Sequence, residues 1–416
     1  MIELVRDASW CWFGDSRALW YDGKVHYGWN DTRGRVMVAQ YDPATGTRRR
    51  FQVGSYLNAA GQGMVDDHGN PSLVMRGGRL VVFWCYHAGS AMRYRIADAV
   101  GSVESFGPEI VCSAGNTPGG NGFTYPNPVD MSASNGQMYL FWRGGNFQPT
   151  FSRTYAGGPG VAGNGWQAAK HLFASPSGVR PYMKVLGDDS RGWIHLAMTD
   201  GHPRDVSTSI YYARFQVGDG TFRRSNGGLL GTLAAVDAGT PIPVASLDLV
   251  YDGTGGTASS GNPRGWIWDL QADPATGCPV IAFATVPSRT DHGYRVARAS
   301  CTAGNGWTVT EVCAAGGSIA QDIEDQYSGG IVLDPTDLTR VVVSRAPDPA
   351  GWQQLERWAQ DSAGVWAQEQ VLTDAGVQNV RPFFVHGAPA DLPNRLLFVR
   401  GTYGTFVDFT TGLFAT

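Results

Sequence analysis

The chain has 416 residues, with 32 Lys and Arg against 36 Asp and Glu, a formal charge of −4. Its 56 Gly and 23 Pro exclude a helical bundle or coiled coil, and 43% apolar residues exclude a disordered chain. The mildly acidic total carries no electrostatic footprint for nucleic acid and no apolar run reaches membrane-span length, so neither a nucleic acid nor a membrane is expected as a partner.

The start, Met1-Ile2-Glu3-Leu4-Val5-Arg6, lacks a signal-peptide pattern. From Ala18 onward one unit recurs: a short apolar strand, a turn with Gly, Asp or Pro, and a second strand rich in Val, Phe, Trp and Leu. The first is Ala18 to Tyr21, turn Asp22-Gly23, then Lys24 to Trp29. The second is Pro71 to Met75, turn Gly77-Gly78, then Arg79 to Tyr86. The third is Pro128 to Met131, turn Ser134-Asn135-Gly136, then Gln137 to Trp142. The fourth is Tyr182 to Leu186, turn Asp188 to Gly192, then Trp193 to Met198. The fifth is Ile267 to Leu270, turn Asp273 to Gly277, then Val280 to Phe283. The sixth is Gly330 to Leu333, turn Asp334 to Asp337, then Arg340 to Val343. The seventh is Phe383 to Val385, turn Ala388 to Asp391, then Arg395 to Val399.

Most starts lie 53 to 63 residues apart; the one gap of 85 holds a stretch rich in Gly, Ser and Thr, 253–261. Outer strands follow several hairpins, at Arg93 to Ala97, Ile210 to Phe215 and Tyr294 to Ala299, and Gly-Asn-Gly-Trp occurs at both 163–166 and 304–307. Seven such units mean an all-β, seven-bladed β-propeller with blades of four antiparallel strands. The terminal segments are expected to share a blade and close the ring, which removes free edges. Residues 1–416 read as one propeller domain with a Gly/Ser-rich insertion around 226–265. A β-sandwich plus a second β-domain is the rival, and it does not predict seven matching hairpins.

The six cysteines contain no CxxC pair, which leaves structural zinc by spacing unsupported. They read as buried free thiols, or as containing one disulfide, Cys278 with Cys301 or Cys301 with Cys313.

In an antiparallel hairpin the residue before the first strand and the residue after the second share an end. Applied to each unit, this gives Asn30 and Asp31; His68 and His87; Tyr125 and Arg143; Arg180, Tyr182, Asp200 and His202; Asp269 and Arg289; Tyr327 and Arg345; Arg381 and Arg400. In a propeller these ends meet on one rim. His26, His171, His195 and His386 fall off it. Each rim residue has a plain structural alternative: His68 can bond a turn, Tyr125 can pack, and Arg143 and Arg400 can pair with blade carboxylates. Together they form an arginine-rich rim on an acidic protein. Arginine's planar fork suits carboxylates and sulfates, so an anionic ligand is expected.

Asp67-His68-Gly69-Asn70-Pro71, Thr124-Tyr125-Pro126-Asn127-Pro128, Leu140 to Gly144, Arg180 to Lys184, Thr199 to Pro203 and Ser209 to Arg214 resemble the BNR-repeat polysaccharide lyases, the seven-bladed ulvan lyases and their relatives. The likeness is strongest over 66–215 and weaker from Tyr327 to Arg400; 226–265 lies outside it. The resemblance implies β-elimination at a uronic acid beside a sulfated rhamnose in an anionic polysaccharide. It implies His68, Tyr125, Arg143 and His87 as catalytic residues, with Tyr182 and His202 in the cleft. Asn127, Arg289, Tyr327, Arg345, Arg381 and Arg400 join them as candidate substrate-binding residues. Arg143 would neutralise the uronate carboxylate, a neutral His68 would take the C5 proton, and Tyr125 would protonate the departing oxygen, the last two roles swapping for the epimeric sugar, whose C5 proton faces the opposite side. No cofactor is needed for this chemistry. A structural metal ion is compatible with it, but no ligands are assigned, and the oligomeric state is left open.

The expected location is extracellular, secreted or on a viral or phage particle, with the missing leader fitting a mature fragment or a tail module. Two other functions compete: a sialidase-like hydrolase, although no Ser-x-Asp-x-Gly-x-Thr-Trp box occurs, and a non-catalytic glycan- or receptor-binding propeller.

Overall fold

The computed structural model describes residues 1–416 apart from 159, 177, 255–262, 303–305, 348–350 and 375. It is a seven-bladed β-propeller. Blades 1 to 6 span 18–55, 72–111, 124–171, 182–251, 264–316 and 331–371. Blade 7 joins 378–415 to the N-terminal strand Ile2–Val5, which pairs antiparallel with Asp408–Ala415. Successive innermost strands touch around the ring, and a parallel bridge from Leu19 to His386 links the first to the last. Each expected hairpin is present. At Asp22-Gly23 and Gly77-Gly78 all four central residues have positive φ (49°, 74°, 55° and 75°), the tight-turn geometry that matches strand twist.

The blades hold together because their strands bury both faces. Strand Gln137–Arg143 is buried throughout. Its alternate residues diverge. Met138, Leu140 and Trp142 pack with Val81, Phe83 and Tyr94 of blade 2. Tyr139 and Phe141 pack with Ile194, Leu196 and Met198 of blade 4. Each large side chain so buried contributes roughly 1.5–3 kcal/mol.

Blade 4 extends its four strands with Leu229–Thr232 and Asp248–Tyr251, the latter pairing with Ile210–Gln216. Between them lie helix Leu233–Asp237, capped by Thr232, and Ile242–Pro243, which pairs in parallel with Phe173–Ala174. Most of the Gly/Ser/Thr-rich stretch, and residues 304 and 305 of the second Gly-Asn-Gly-Trp, lie outside the described residues.

Three inner strands begin earlier than the hydrophobic pattern suggests, at Thr124, Arg264 and Gln378. Each carries a β-bulge, at Thr124/Asn127, Ile267/Asp269 and Val380/Phe383, which breaks the alternation that marks a strand. Asp269 therefore sits in mid-strand, not on the rim; its carboxylate accepts the amides of Leu270 and Leu333.

The chain between Ile2–Val5 and blade 1 passes through the centre of the ring. Trp10, Cys11, Trp12 and Phe13 are almost wholly buried there. The Trp10 and Trp12 indoles donate to the carbonyls of Arg381 and Ile267, and Trp12 stacks on Trp268 at 4.0 Å. This plug separates the rim from a cavity of about 350 Å³ at the opposite mouth, where Asp15, Lys184, Asp269 and His386 lie. Of the cysteines, Cys278 and Cys301 form a disulfide, and Cys11, Cys85, Cys112 and Cys313 are buried thiols.

Candidate active site

The rim residues His68, His87, Tyr125, Arg143, Tyr182, His202, Tyr327 and Arg381 form one continuous cluster above the plug. His68 sits in the single 3-10 turn Asp67–Gly69 that leads into blade 2, with the Asp66 side chain capping the His68 amide. His87 follows strand Arg79–Trp84 of the same blade, so the hairpin returns it beside His68. The two imidazoles stack, with ring centres 4.3 Å apart and planes 9° from parallel. Asp66 meets Nδ1 of His68 at 2.6 Å and Nδ1 of His87 at 3.0 Å.

This shared carboxylate separates the two rings' charge states. Burial works against a charged His68, but Asp66, and then Asp67, outweigh it and hold its pKa well above the ordinary imidazole value. Burial, and then the charge on His68, push His87 down to about 4. Burial likewise opposes ionised Asp66, yet the two imidazoles keep its carboxyl well below the usual range. His68 therefore carries the proton, and His87 is neutral. The Nδ1–H of His87 points at Asp66, and its Nε2 accepts from Arg143 Nη2 at 3.3 Å. His87 is also the more accessible ring, its side chain 29% exposed against 6% for His68.

Tyr125 and Arg381 are placed by the same device in two blades. Each precedes a proline at a bulge and takes a left-handed backbone, with φ of 59° and 55°. Such a conformation costs of order 1–3 kcal/mol in a non-glycine residue and persists only where surroundings enforce it. The missing amide of Pro126 or Pro382 leaves no ladder donor to satisfy at the bulge. Tyr125 lies 5.6 Å from His68 between ring centres, and burial raises its pKa well above that of a free phenol. It is a neutral proton donor at pH 7.

Arg143 ends strand Gln137–Arg143 and lies 4.9 Å from the ring centres of both Tyr125 and Tyr182. It is 6% exposed, and its Nε and Nη1 have no hydrogen-bond partner. Among the described residues no carboxylate pairs with it. A buried guanidinium without an anion is costly, so the position favours an anionic ligand.

Arg381 is different. It is fully buried, donates to Asp67 Oδ2 at 2.5 Å and to the Tyr403 hydroxyl at 2.6 Å, and is already neutralised. It supports the floor of the site. Tyr327 contributes a hydroxyl 3.5 Å from His68 Nε2. On the other flank, Tyr182 meets His202 edge-on at 5.4 Å. Burial, then Arg180 and Arg204, push His202 down to about 2, so it is neutral. Its Nδ1 accepts the Arg204 amide, and its Nε2 faces Glu324 at 3.6 Å.

The remaining candidates are engaged elsewhere. Asn127 binds the plug: its amide donates to the carbonyls of Phe13 and Tyr125, and its oxygen accepts the Asp15 amide. Arg289 donates to the carbonyls of Ala320 and Asp322. Arg345 pairs with Glu356, and Arg400 with Asp374 and Asn379. Of the residues set off the rim, His26 and His195 are buried inside their blades, and His386 lines the opposite mouth.

Sequence reasoning missed Asp66, Tyr403 and Phe406; Phe406 meets the edge of His68 at 4.9 Å. Only Asp66 left a readable signal, as the second acid before His68. Asp66, His68 and His87, and separately Cys11, Asp67 and His68, each bring three possible metal-ligand atoms within 4.8 Å. Their charges are already balanced by the His68 proton and by Arg381, and the adjacent guanidinium of Arg143 or Arg381 would repel a cation.

The sequence profile described as "BNR repeat-containing family member" matches residues 21–315. The chain belongs to this family. This BNR-repeat protein superposes on a polysaccharide lyase described as PL25 ulvan lyase, with TM-score 0.68 and 14% identity over 99% of this chain and 94% of that one. It also superposes on an ulvan lyase described as bound to -[GlcA(1-4)Rha3S]-, with TM-score 0.67 and 13% identity over the same shares. The BP39L lectin from Burkholderia pseudomallei is similar at TM-score 0.52 and 12% identity, over 97% of this chain and 96% of the lectin. At these identities the likeness is one of fold. Comparison with curated proteins finds no match.

Proposed function

We propose that this BNR-repeat protein is a polysaccharide lyase that cleaves a uronate-containing, sulfated polysaccharide of the ulvan type by β-elimination. The observation that carries the reading is the buried, unpaired Arg143 lying against a neutral histidine and a neutral phenol. Arg143, with the charged His68 behind it, neutralises the uronate carboxylate and makes the C5 proton removable. His87 Nε2, freed as Arg143 turns to the carboxylate, takes that proton. The electron pair forms the C4=C5 double bond, the C4–O bond breaks, and Tyr125 protonates the departing oxygen. The base is thus His87 and not His68, whose lone pair is already protonated.

The carboxylates support elimination over hydrolysis. Asp66 is held by two imidazoles, Asp67 by Arg381, and Glu324 by Arg204, so among these no pair is free to act as acid and base on a glycosidic bond. The Cys278–Cys301 disulfide fits an extracellular site of action.

The test is incubation of the protein with ulvan and a panel of other polyuronates, following the ultraviolet absorbance of the unsaturated product. Growth of that absorbance on a uronate polymer is expected. Binding with no product on any of them, or release of saturated sugars, overturns the reading.

A further inference from the structure

A second charged feature lies outside the catalytic cluster. The seam between the N-terminal strand Ile2–Val5 and blade 1 holds a groove of about 530 Å³, lined by Arg6, Arg33, Arg35, Arg48, Arg49 and Arg50 against only Glu3, Asp7 and Asp31. Three of the arginines are paired: Arg6 with Glu3, Arg35 with Asp31, and Arg49 with Glu104. Arg33, Arg48 and Arg50 are exposed; the Arg33 amide donates to Asp31, but among the described residues none of the three guanidinium groups forms an ion pair with a carboxylate. Arg48 lies over the Tyr41 ring at 5.6 Å. Three consecutive cations on one exposed strand repel each other, in a protein whose net charge is −4.

Strand geometry orders these charges along a line. Arg48 and Arg50 share one face of strand Arg48–Ser55, opposite Tyr41 and Ala39. Arg35 stands at the other end, opposite Ser55. The groove therefore runs the length of strand Arg35–Tyr41, roughly 20 Å at about 3.3 Å per residue. Its upper end adjoins the catalytic cluster: Asn30, paired with Val36, donates to the Asp66 carbonyl. The aromatic side chains on the floor, Tyr27 and Trp29, are buried at 1% and 2% exposure, so they offer no face for stacking nucleobases. What remains exposed is a row of guanidinium forks suited to sulfates and carboxylates.

We propose that this groove is a second binding site that holds the anionic polysaccharide beside the active site. The inference rests on the reading of the substrate as such a polymer and extends it to a non-catalytic surface.

The test compares the parent with R33S/R48S/R50S by affinity electrophoresis in gels containing ulvan, with uncharged dextran as the blank and duplex DNA as the competing polyanion. The triple variant is expected to bind ulvan about tenfold more weakly, with a shallower salt dependence, while Y125F binds like the parent. Unchanged ulvan affinity in the triple variant overturns the proposal, as does equal affinity of the parent for DNA. If the triple variant loses ulvan binding but no uronate polymer yields unsaturated product, the groove stands and the elimination reading falls. If product forms and the triple variant binds ulvan like the parent, the groove alone falls.

Discussion

His68 and His87 lie face to face over one carboxylate, each directing Nδ1 at Asp66, with 4.3 Å between ring centres. At that spacing two imidazolium charges repel strongly, so the pair carries a single positive charge across the neutral pH range.

The pH dependence of kcat/KM reports which ring acts. If His87 is the base, activity rises as pH increases through about 4, where His87 loses its proton. It falls only when His68 is deprotonated, well above the ordinary imidazole value of 6.5. A profile that begins to rise only above neutrality makes His68 the base instead. Asp66→Asn removes the anion that raises the His68 pKa, so the upper limb moves toward lower pH.

Tyr125→Phe keeps the ring and its packing but removes the donor. Turnover on the cleaved polymer is expected to fall about 10²–10⁴-fold with little change in binding. Initial rates together with affinity electrophoresis measure both. A parental rate would remove Tyr125 from the mechanism.

Arg143→Lys keeps the charge and loses both the fork and the stacking between Tyr125 and Tyr182. We expect kcat/KM to fall at least about tenfold, and a lysine variant that works like the parent would mean that only a point charge is required.

Asp67→Ala leaves Arg381 fully buried without its anion. Removing one partner of such a pair costs about 3–5 kcal/mol, which urea unfolding would read as a lower midpoint. The folded-state pKa of Asp67 is depressed, against burial, first by Arg381 and then by His68. Its stabilisation is present above the unfolded carboxylate pKa of about 3.9 and is lost as pH falls through the depressed value.

Thiol titration of the chain unfolded without reductant should count four free cysteines, since Cys278 and Cys301 are joined. Six would remove the disulfide and the support it lends to an extracellular location.

The seven hairpins and the closing of the ring through the termini were legible because strand alternation and turn residues are local. So was the rim: strand ends converge in any propeller, and His68, His87, Tyr125, Arg143, Tyr182 and His202 meet there. The arginines were less legible. Arg143 and Arg381 both follow from register, yet one is unpaired and the other neutralised by a carboxylate 314 residues away. Arg289, Arg345 and Arg400 look equivalent to them in sequence, but carbonyls and blade carboxylates already hold them.

By itself the sequence determined the repeated architecture and the face on which polar residues gather, since period-two patterning and turn chemistry act between neighbours in the chain. Only the tertiary structure decided which histidine keeps the proton, which arginine is left unpaired and how Trp10 to Phe13 seal the axis. Those outcomes depend on burial and on charges brought within a few ångströms from distant blades, and neither is written in any one segment.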